Sequence, residues 1–461
     1  MILAAALFLT GVAPSFAAKS DEAEIKPSAK ISWEDAPAIE GTSAILMDAK
    51  SGEILYEKNA YEKRDPASVT KILTCLVALE TLELDEKITS TIEQDPASSG
   101  TSILMKKGEV FTVEQLLYAL MLPSANDAAV ALAEASGGSV ENFCEMMNER
   151  AARCGAKDTN FTNPNGFNEP IQPKHKTTAY DLAMITKEAM KNKTFREIVS
   201  TVDYYIPKTN MSKKRAFRNS NRCISDGVSK VKLPDYVENK GFYRYEPAIG
   251  VKTGYTSTAG SCFVGWAEKD DTDMIVVVLN SSTYESRFED AIALWDYGFE
   301  KYYTYNVASA GEILDEFRIK HGAKGEVTVT LNEDLGVTLN KEDKDPDINT
   351  KIEPYDRKTK APVKEGDELG TITVYKGDDA VEQRILIAAE NVEKGGVLSY
   401  IGVPDEDVPM FLIGIVIALI LIFVIYNVYR RYQYKQKKRV RAQINRDARR
   451  REWDKEKNPF D

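Results

Sequence analysis

Histidine is almost missing from this 461-residue chain, which holds only His175 and His321. Two isolated imidazoles point away from a histidine-based metal centre and from a histidine general base. Neither a metal nor another cofactor is expected, and a nucleophile here must draw its base from another residue type. Cysteine is sparse and odd in number: Cys75, Cys144, Cys154, Cys223 and Cys262 form neither a disulfide framework nor a CxxC metal spacing. Cys75 and Cys262 fall in apolar periodic runs and read as core, while a Cys144–Cys154 bridge stays open. There is no internal repeat. A basic surface is also lacking over most of the chain. Residues 430–461 carry 13 Lys and Arg against 5 Asp and Glu, which leaves 47 basic against 66 acidic residues elsewhere. An acidic body excludes nucleic acid as an expected partner. A basic tail beside an apolar segment points to a membrane instead.

Long uncharged runs are confined to the two ends. Residues 1–17 begin with a short apolar run and end in Ser15-Phe16-Ala17, a small-x-Ala pattern. The segment reads as a signal peptide, although it has no positive n-region. Residues 408–428 contain no charge, and at ~1.5 Å per residue a helix of this length crosses the ~30 Å hydrocarbon core. Arg430 and Arg431 follow at once. The positive-inside rule then places residues 429–461 in the cytoplasm, with the bulk of the chain outside the cell membrane.

Between these ends the patterning changes twice. Ser43-Ala-Ile-Leu-Met-Asp and Glu53-Ile-Leu-Tyr-Glu flank Ala49-Lys50-Ser51-Gly52 and predict a β-hairpin. Apolar spacing predicts helices over 68–82, 113–121, 126–136, 140–153 and 178–191, with a turn at Asn163-Pro-Asn-Gly166. Strand signals return at 261–267 and 274–280, and a helix is expected at 285–302. Strands from both ends of this block form one sheet with helices packed on it, an α+β arrangement assigned to residues 38–303. Short alternating runs such as Glu326-Val-Thr-Val-Thr-Leu then predict a small all-β domain over 306–398, without a catalytic cluster.

Three short patterns carry chemistry. Ser68 and Lys71 lie three residues apart at a helix start, on one face, so the amine can reach the hydroxyl. Burial and a neighbouring cation lower a lysine's pKa, and a neutral Lys71 can act as base for Ser68. Such S-x-x-K pairs are weak alone. About two copies arise by composition in a chain this long, and Ser229-Lys-Val-Lys232 is a second one here. Ser124-Ala125-Asn126 can present a hydroxyl and an amide from an interhelical loop, where the same residue types also serve as helix caps. Lys252-Thr253-Gly254 places a cation and a hydroxyl on a strand, with a glycine that permits close backbone approach. Taken singly, Lys252 would read as an exposed strand lysine, and Lys50-Ser51-Gly52 copies the triplet inside the hairpin turn.

In that order, on a helix start, a loop and a strand, the set matches one that penicillin-binding proteins and class A β-lactamases share, with Ser-Asp-Asn in the middle. Asp65-Pro-Ala-Ser-Val-Thr-Lys71, Ser124-Ala-Asn-Asp-Ala129, Gly250-Val-Lys-Thr-Gly-Tyr-Thr256 and the Arg287-Phe288 to Tyr297-Gly298-Phe299 helix extend the match. The chain resembles the low-molecular-mass penicillin-binding proteins, the D-alanyl-D-alanine carboxypeptidases of the S11 serine peptidase family. That resemblance implies a β-lactamase/transpeptidase-like domain, an antiparallel sheet flanked by helices, followed by the all-β domain and a membrane anchor. It implies that Ser68 attacks the D-Ala-D-Ala carbonyl of a peptidoglycan stem peptide and that β-lactams inhibit the reaction. Lys71 is then the base, Ser124 helps proton transfer, and Asn126 holds the substrate amide. Lys252 supports the field, Thr253 binds the terminal carboxylate beside Gly254, and the N–H groups of Ser68 and Tyr255 form the oxyanion hole. Tyr255 stands where some members have histidine. Arg287 is assigned to the carboxylate by position alone, with a surface helix arginine as the alternative.

Three other readings share parts of this pattern. A DD-endopeptidase or transpeptidase would differ only in its acceptor. A β-lactamase is favoured by Glu169-Pro170, which resembles the start of the class A deacylating motif, but Pro173 stands where that motif wants asparagine. A catalytically dead wall-binding scaffold would have been free to lose Ser68 or Lys71.

Overall fold

The computed structural model describes residues 35–92, 100–168, 171–225, 243–343, 346–356 and 359–457. The signal-peptide segment 1–17, the Ser229–Lys232 copy and Glu169-Pro170 lie outside the described residues.

The chain opens with the hairpin β1 (Ser43–Asp48) and β2 (Ile54–Lys58). A 3-10 turn (Ala67–Thr70) then leads into α1 (Lys71–Thr81). Next come the small hairpin β3 (Lys87–Thr89) and β4 (Val110–Thr112), then α2 (Val113–Met121), α3 (Asn126–Gly137) and α4 (Val140–Arg153). After α5 (Ala179–Ala189) and α6 (Lys193–Ser200), a second hairpin pairs β5 (Asp203–Ile206) with β6 (Arg215–Arg218). Three long strands follow, β7 (Ala248–Thr256), β8 (Gly260–Lys269) and β9 (Thr272–Ser281), and then α7 (Ser286–Lys301).

The main sheet has the order β2-β1-β9-β8-β7, antiparallel throughout. Alternation along β1 and β9 decides what covers each face. Ile45, Met47, Ile275, Val277 and Leu279 join the large core under α1 to α6, whereas Leu46, Met274, Val276 and Val278 meet Phe288, Leu294 and Trp295 of α7. Both faces are therefore buried, as expected of a three-layer α+β domain whose strands come from its two ends.

The expected helix over 68–82 begins differently. Residues 67–70 wind as a tighter 3-10 turn, with Ala67 at φ +51°, and the α-helix starts only at Lys71. The two small hairpins and α6 add to the elements expected; the hairpins are short segments stabilised by packing, and α6 buries Phe195, Ile198 and Val199, spaced i, i+3, i+4 on one face. All five cysteines are free and buried, Cys144 and Cys154 included.

The second unit follows α7 directly. β10 (Tyr302–Ala308) pairs with β13 (Leu335–Asn340). Beside them lies a five-stranded sheet, β11-β12-β16-β15-β14. Its strands are β11 (Asp315–Arg318), β12 (Glu326–Thr330), β14 (Ile348–Pro354), β15 (Glu368–Lys376) and β16 (Asp379–Ala388). The Lys50-Ser51-Gly52 turn finds its use here. Buried Asp48 accepts from the Lys50 and Ser51 N–H groups and from the hydroxyls of Thr304 (2.6 Å) and Thr338 (2.9 Å), tying the hairpin to β10 and β13.

The chain ends in α8 (Val408–Lys457), a single 50-residue helix. It is the one described helix long and apolar enough to cross a membrane. Sequence reading closed the apolar span at 428, but Arg430 onward is good helix-forming sequence and the helix runs on, for about 75 Å in all at 1.5 Å per residue.

Candidate active site

Lys71 is the first residue of α1 and the first α-helical residue after the 3-10 turn that carries Ser68. Its side chain is 0% exposed. Nζ lies 3.0 Å from Ser68 Oγ, 2.7 Å from Asn126 Oδ1 and 2.6 Å from the Asn165 carbonyl oxygen. Burial is the main cause of a pKa held well below the ordinary lysine value, and the Lys252 cation adds to it. Two of its neighbours are carbonyl oxygens that only accept. As a free amine Lys71 would satisfy them with its two N–H bonds and keep its lone pair for the Ser68 hydroxyl.

The third partner, the Asn165 carbonyl, was not anticipated; its segment read only as a turn. Thr74 of α1 donates to the Pro164 carbonyl at 2.6 Å, and Asn163 Oδ1 accepts from the Gly166 N–H at 2.7 Å. Gly166 has φ +77°, and a Cβ there would sit 1.8 Å from the Ala67 carbonyl oxygen. Gly166→Ala should therefore lower the melting temperature, by strain of about 2–3 kcal/mol, and also slow acylation, because the atoms displaced adjoin Ser68. A thermal melt and a penicillin-labelling rate on the same preparation check both effects.

A buried relay holds the other side of that carbonyl. The Thr162 N–H donates to His175 Nδ1 at 3.0 Å, so the neutral ring keeps its proton on Nε2 and donates to Thr70 Oγ1 at 3.0 Å. Thr70 in turn donates to the Ala67 carbonyl at 2.9 Å. Burial pushes the His175 pKa down to about 4, with the Asp65 carboxylate opposing. The unfolded chain takes up this proton first. Stability should therefore fall as pH drops from about 6.5 toward about 4, by up to about 3 kcal/mol from this group. Melting curves across that range, with His175→Gln flattening the slope, test it.

Ser124 and Asn126 flank the start of α3, yet neither caps it; the cap position is Ala125, without a side-chain bond. Asn126 instead turns its Oδ1 to Lys71. Ser124 is 8% exposed, sits at φ +70°, and its Oγ has no hydrogen-bond partner among the described residues. A serine in the left-handed region with an idle buried hydroxyl is costly for stability alone. Next along α3, buried Asp127 accepts from Ser102 Oγ, Ile103 N and Met105 N, fixing the loop before α2.

The third pattern lies on β7, the edge strand of the sheet. A Cβ on Gly254 would stand 3.0 Å from the Ser68 nitrogen, so this edge runs against the turn that carries Ser68. Lys252 is 1% exposed rather than at the surface. Its Nζ donates to the Thr253 carbonyl at 3.0 Å, and burial, with Arg287 nearby, lowers its pKa to about 7. Thr253 Oγ1 lies 2.6 Å from Ser220 Oγ, and the Ser220 N–H donates to the Leu122 carbonyl. Ser220 therefore joins the β7 edge to the loop that carries Ser124. Sequence reading passed over it, since a serine between two asparagines signals only a turn. Tyr255 is mostly exposed beyond it. Arg287 is buried, not a surface helix arginine. Its Nη1 donates to the carbonyl of Gly254 at 2.9 Å, and its guanidinium lies over the Tyr284 ring.

A protein-family model described as D-alanyl-D-alanine carboxypeptidase, peptidase S11, matches residues 30–283, and one described as the C-terminal domain of penicillin-binding protein 5 matches residues 302–394. The chain is 30% identical over 370 residues to D-alanyl-D-alanine carboxypeptidase DacF of Bacillus subtilis, covering 79% of this chain and 89% of that protein. It is 31% identical over 372 residues to DacC of Escherichia coli, covering 78% and 86%. Among solved structures, penicillin binding protein 5 from Haemophilus influenzae superposes with a TM-score of 0.60 at 26% identity, over 78% of this chain and 99% of that one. With a family model spanning more than half its length and relatives matched nearly end to end, the chain belongs to the D-alanyl-D-alanine carboxypeptidases of the S11 serine peptidase family.

Proposed function

We propose that this protein removes the terminal D-alanine from peptidoglycan stem peptides through an acyl-enzyme on Ser68. The observation that carries the assignment of roles is the environment of Lys71, a buried amine with its two donor directions occupied and Ser68 Oγ at 3.0 Å. Lys71 takes the Ser68 proton as Oγ attacks the carbonyl of the penultimate residue. The oxyanion forms between the N–H of Ser68 and that of Tyr255, at the start of a helical segment and on a strand edge, where fixed dipoles stabilise it best. The idle hydroxyl of Ser124 passes a proton to the leaving D-alanine amine, and Asn126 holds the peptide amide. The substrate's terminal carboxylate meets Thr253 beside Gly254, in a field made positive by Lys252 and Arg287. Arg287 also acts through the strand, since its Nη1 is engaged by the Gly254 carbonyl. Water then hydrolyses the ester and frees Ser68. β-Lactams, which present a reactive amide beside a carboxylate, enter the same site and stop at the acyl-enzyme.

In this reading residues 38–303 are the catalytic domain and 306–398 a spacer that holds the site off the membrane. Residues 408–428 span the bilayer, with 429–461 in the cytoplasm. Incubation with a fluorescent penicillin and with a pentapeptide ending in D-Ala-D-Ala tests the activity. Covalent labelling with release of free D-alanine supports it. Labelling without release would point to an endopeptidase or transpeptidase, rapid drug turnover to a β-lactamase, and neither to a scaffold.

A further inference from the structure

The end of the second domain nearest α8 carries a cluster of exposed apolar side chains. Residues Val397–Ile401 form a single 3-10 turn, in which positions three apart share a face. Val397 is 87% exposed, Tyr400 62% and Ile401 69%. Three large apolar side chains laid open within five residues are costly in water and mark a surface that meets something else.

The turn is firmly held. Asp405 accepts the Gly396 N–H at 2.8 Å, Glu406 accepts the Gly325 N–H at 2.9 Å, and the Val403 N–H donates to the Leu398 carbonyl. These bonds fold the stalk against the base of the domain, so Val397–Ile401 cannot swing away from the start of α8 at Val408. Tyr400 is further fixed by stacking on His321 at 4.6 Å.

Next to it lies a cleft of about 1150 Å³ whose wall includes Arg318, Lys320 and Lys360. Lys320 and Lys360 are neighbours across a parallel bridge, both exposed, and neither makes an ion pair among the described residues. The same wall carries three acids, Glu326, Glu406 and Asp407. Glu406 holds a backbone N–H, Glu326 faces Arg318 at 3.9 Å, and Asp407 stands at the N-terminus of α8, where negative charge is favoured.

We infer that the base of the second domain is seated in the lipid headgroup layer, with Val397, Tyr400 and Ile401 inserted at the acyl boundary and Lys320 and Lys360 against lipid phosphates. This rests on the reading of α8 as a membrane span. The occupant follows from continuity. The apolar surface of α8 begins where the stalk ends, and the headgroup layer on that side adds roughly 5–7 Å to the ~30 Å core, about the depth of the single turn that adjoins it. Aliphatic groups, a tyrosine and long lysine stems are the composition such a boundary selects. The α8 span alone would leave the domain free to tilt, whereas a second contact beside it fixes the height and the facing of the catalytic cleft.

Selective labelling makes the test direct. All five native cysteines are buried, and burial raises every one of their thiol pKa values, so an introduced surface cysteine reacts first. Full-length V397C, I401C, L412C and D378C would each carry a bimane label, in phospholipid vesicles with or without bromine on the upper acyl chain. Asp378 lies between β15 and β16, away from the base. Fluorescent penicillin labelling confirms that each variant is folded. Positions 397, 401 and 412 should lose most of their emission to brominated lipid, and position 378 none. Quenching at 412 without quenching at 397 and 401 overturns the seating and leaves the span intact. No quenching at 412 removes the span, and the seating falls with it. Equal quenching at 378 and 401 also overturns it.

Discussion

Ser68→Ala should fold, bind substrate and form no adduct with a fluorescent penicillin, and D-alanine release should fall by about 10⁴-fold or more. The size of the loss follows from what remains. The dipoles around Ser68 and the carboxylate pocket of β7 would still bind and polarise the peptide, but no hydroxyl is left at 3.0 Å from Lys71 to receive the acyl group. Folding is expected to survive because the lost atom is a half-buried hydroxyl on a turn whose backbone is held from both sides. Gly166 packs against the Ala67 carbonyl, and the His175–Thr70 relay hydrogen-bonds to it. A melt near that of the parent beside an unlabelled gel band is the expected pair of results. Retained D-alanine release in the alanine variant would remove Ser68 from its assigned role.

Lys71→Met should be nearly as damaging to acylation, by about 10²–10⁴-fold, the range for removing a positioned base. The pH dependence separates a base from a mere space-filler. Lys71 works only as the free amine, so acylation should decline on the acid side as this group takes a proton. Burial and the nearby Lys252 charge are what move that decline below the pH at which an ordinary lysine titrates. Lys252→Gln removes the second cause. The Lys71 pKa should then rise, more of it is protonated at any given pH, and the acid limb should move upward. A general loss of binding would lower the whole profile without displacing the limb. If the limb of the glutamine variant stays in place or moves down, Lys252 does not tune Lys71 through charge.

Much of the site could be read in the sequence because its parts are side chains of distinctive type at short spacings. Ser68 and Lys71 are one helical step apart, Ser124 and Asn126 share a loop, and Lys252-Thr253-Gly254 share a strand. The unread parts are of another kind. The Asn165 carbonyl that accepts a hydrogen bond from Lys71 is main chain, which any residue could supply. What placed it was Gly166, whose need for a positive φ and for clearance from Ala67 is visible only once the two segments touch. Ser220 became part of the cleft through a contact with Thr253 across thirty-three positions. The sheet was legible from alternation at both ends of the domain, yet Lys50-Ser51-Gly52 showed its purpose only when β10 and β13 were seen against it.

The pairing of β1 with β9 also bears on when in the life of the chain the enzyme begins to work. Ser43 meets Leu279, and the sheet cannot close until nearly the whole domain has left the ribosome. Until then Ser68 and Lys71 are present without the β7 edge beside them, and a nascent or truncated chain carries the proposed nucleophile with no pocket to aim it. Maturation is thereby linked to completeness. A fragment ending before residue 248 should be inert toward β-lactams however well its helices form, and a covalent penicillin label would report that the last strands have arrived.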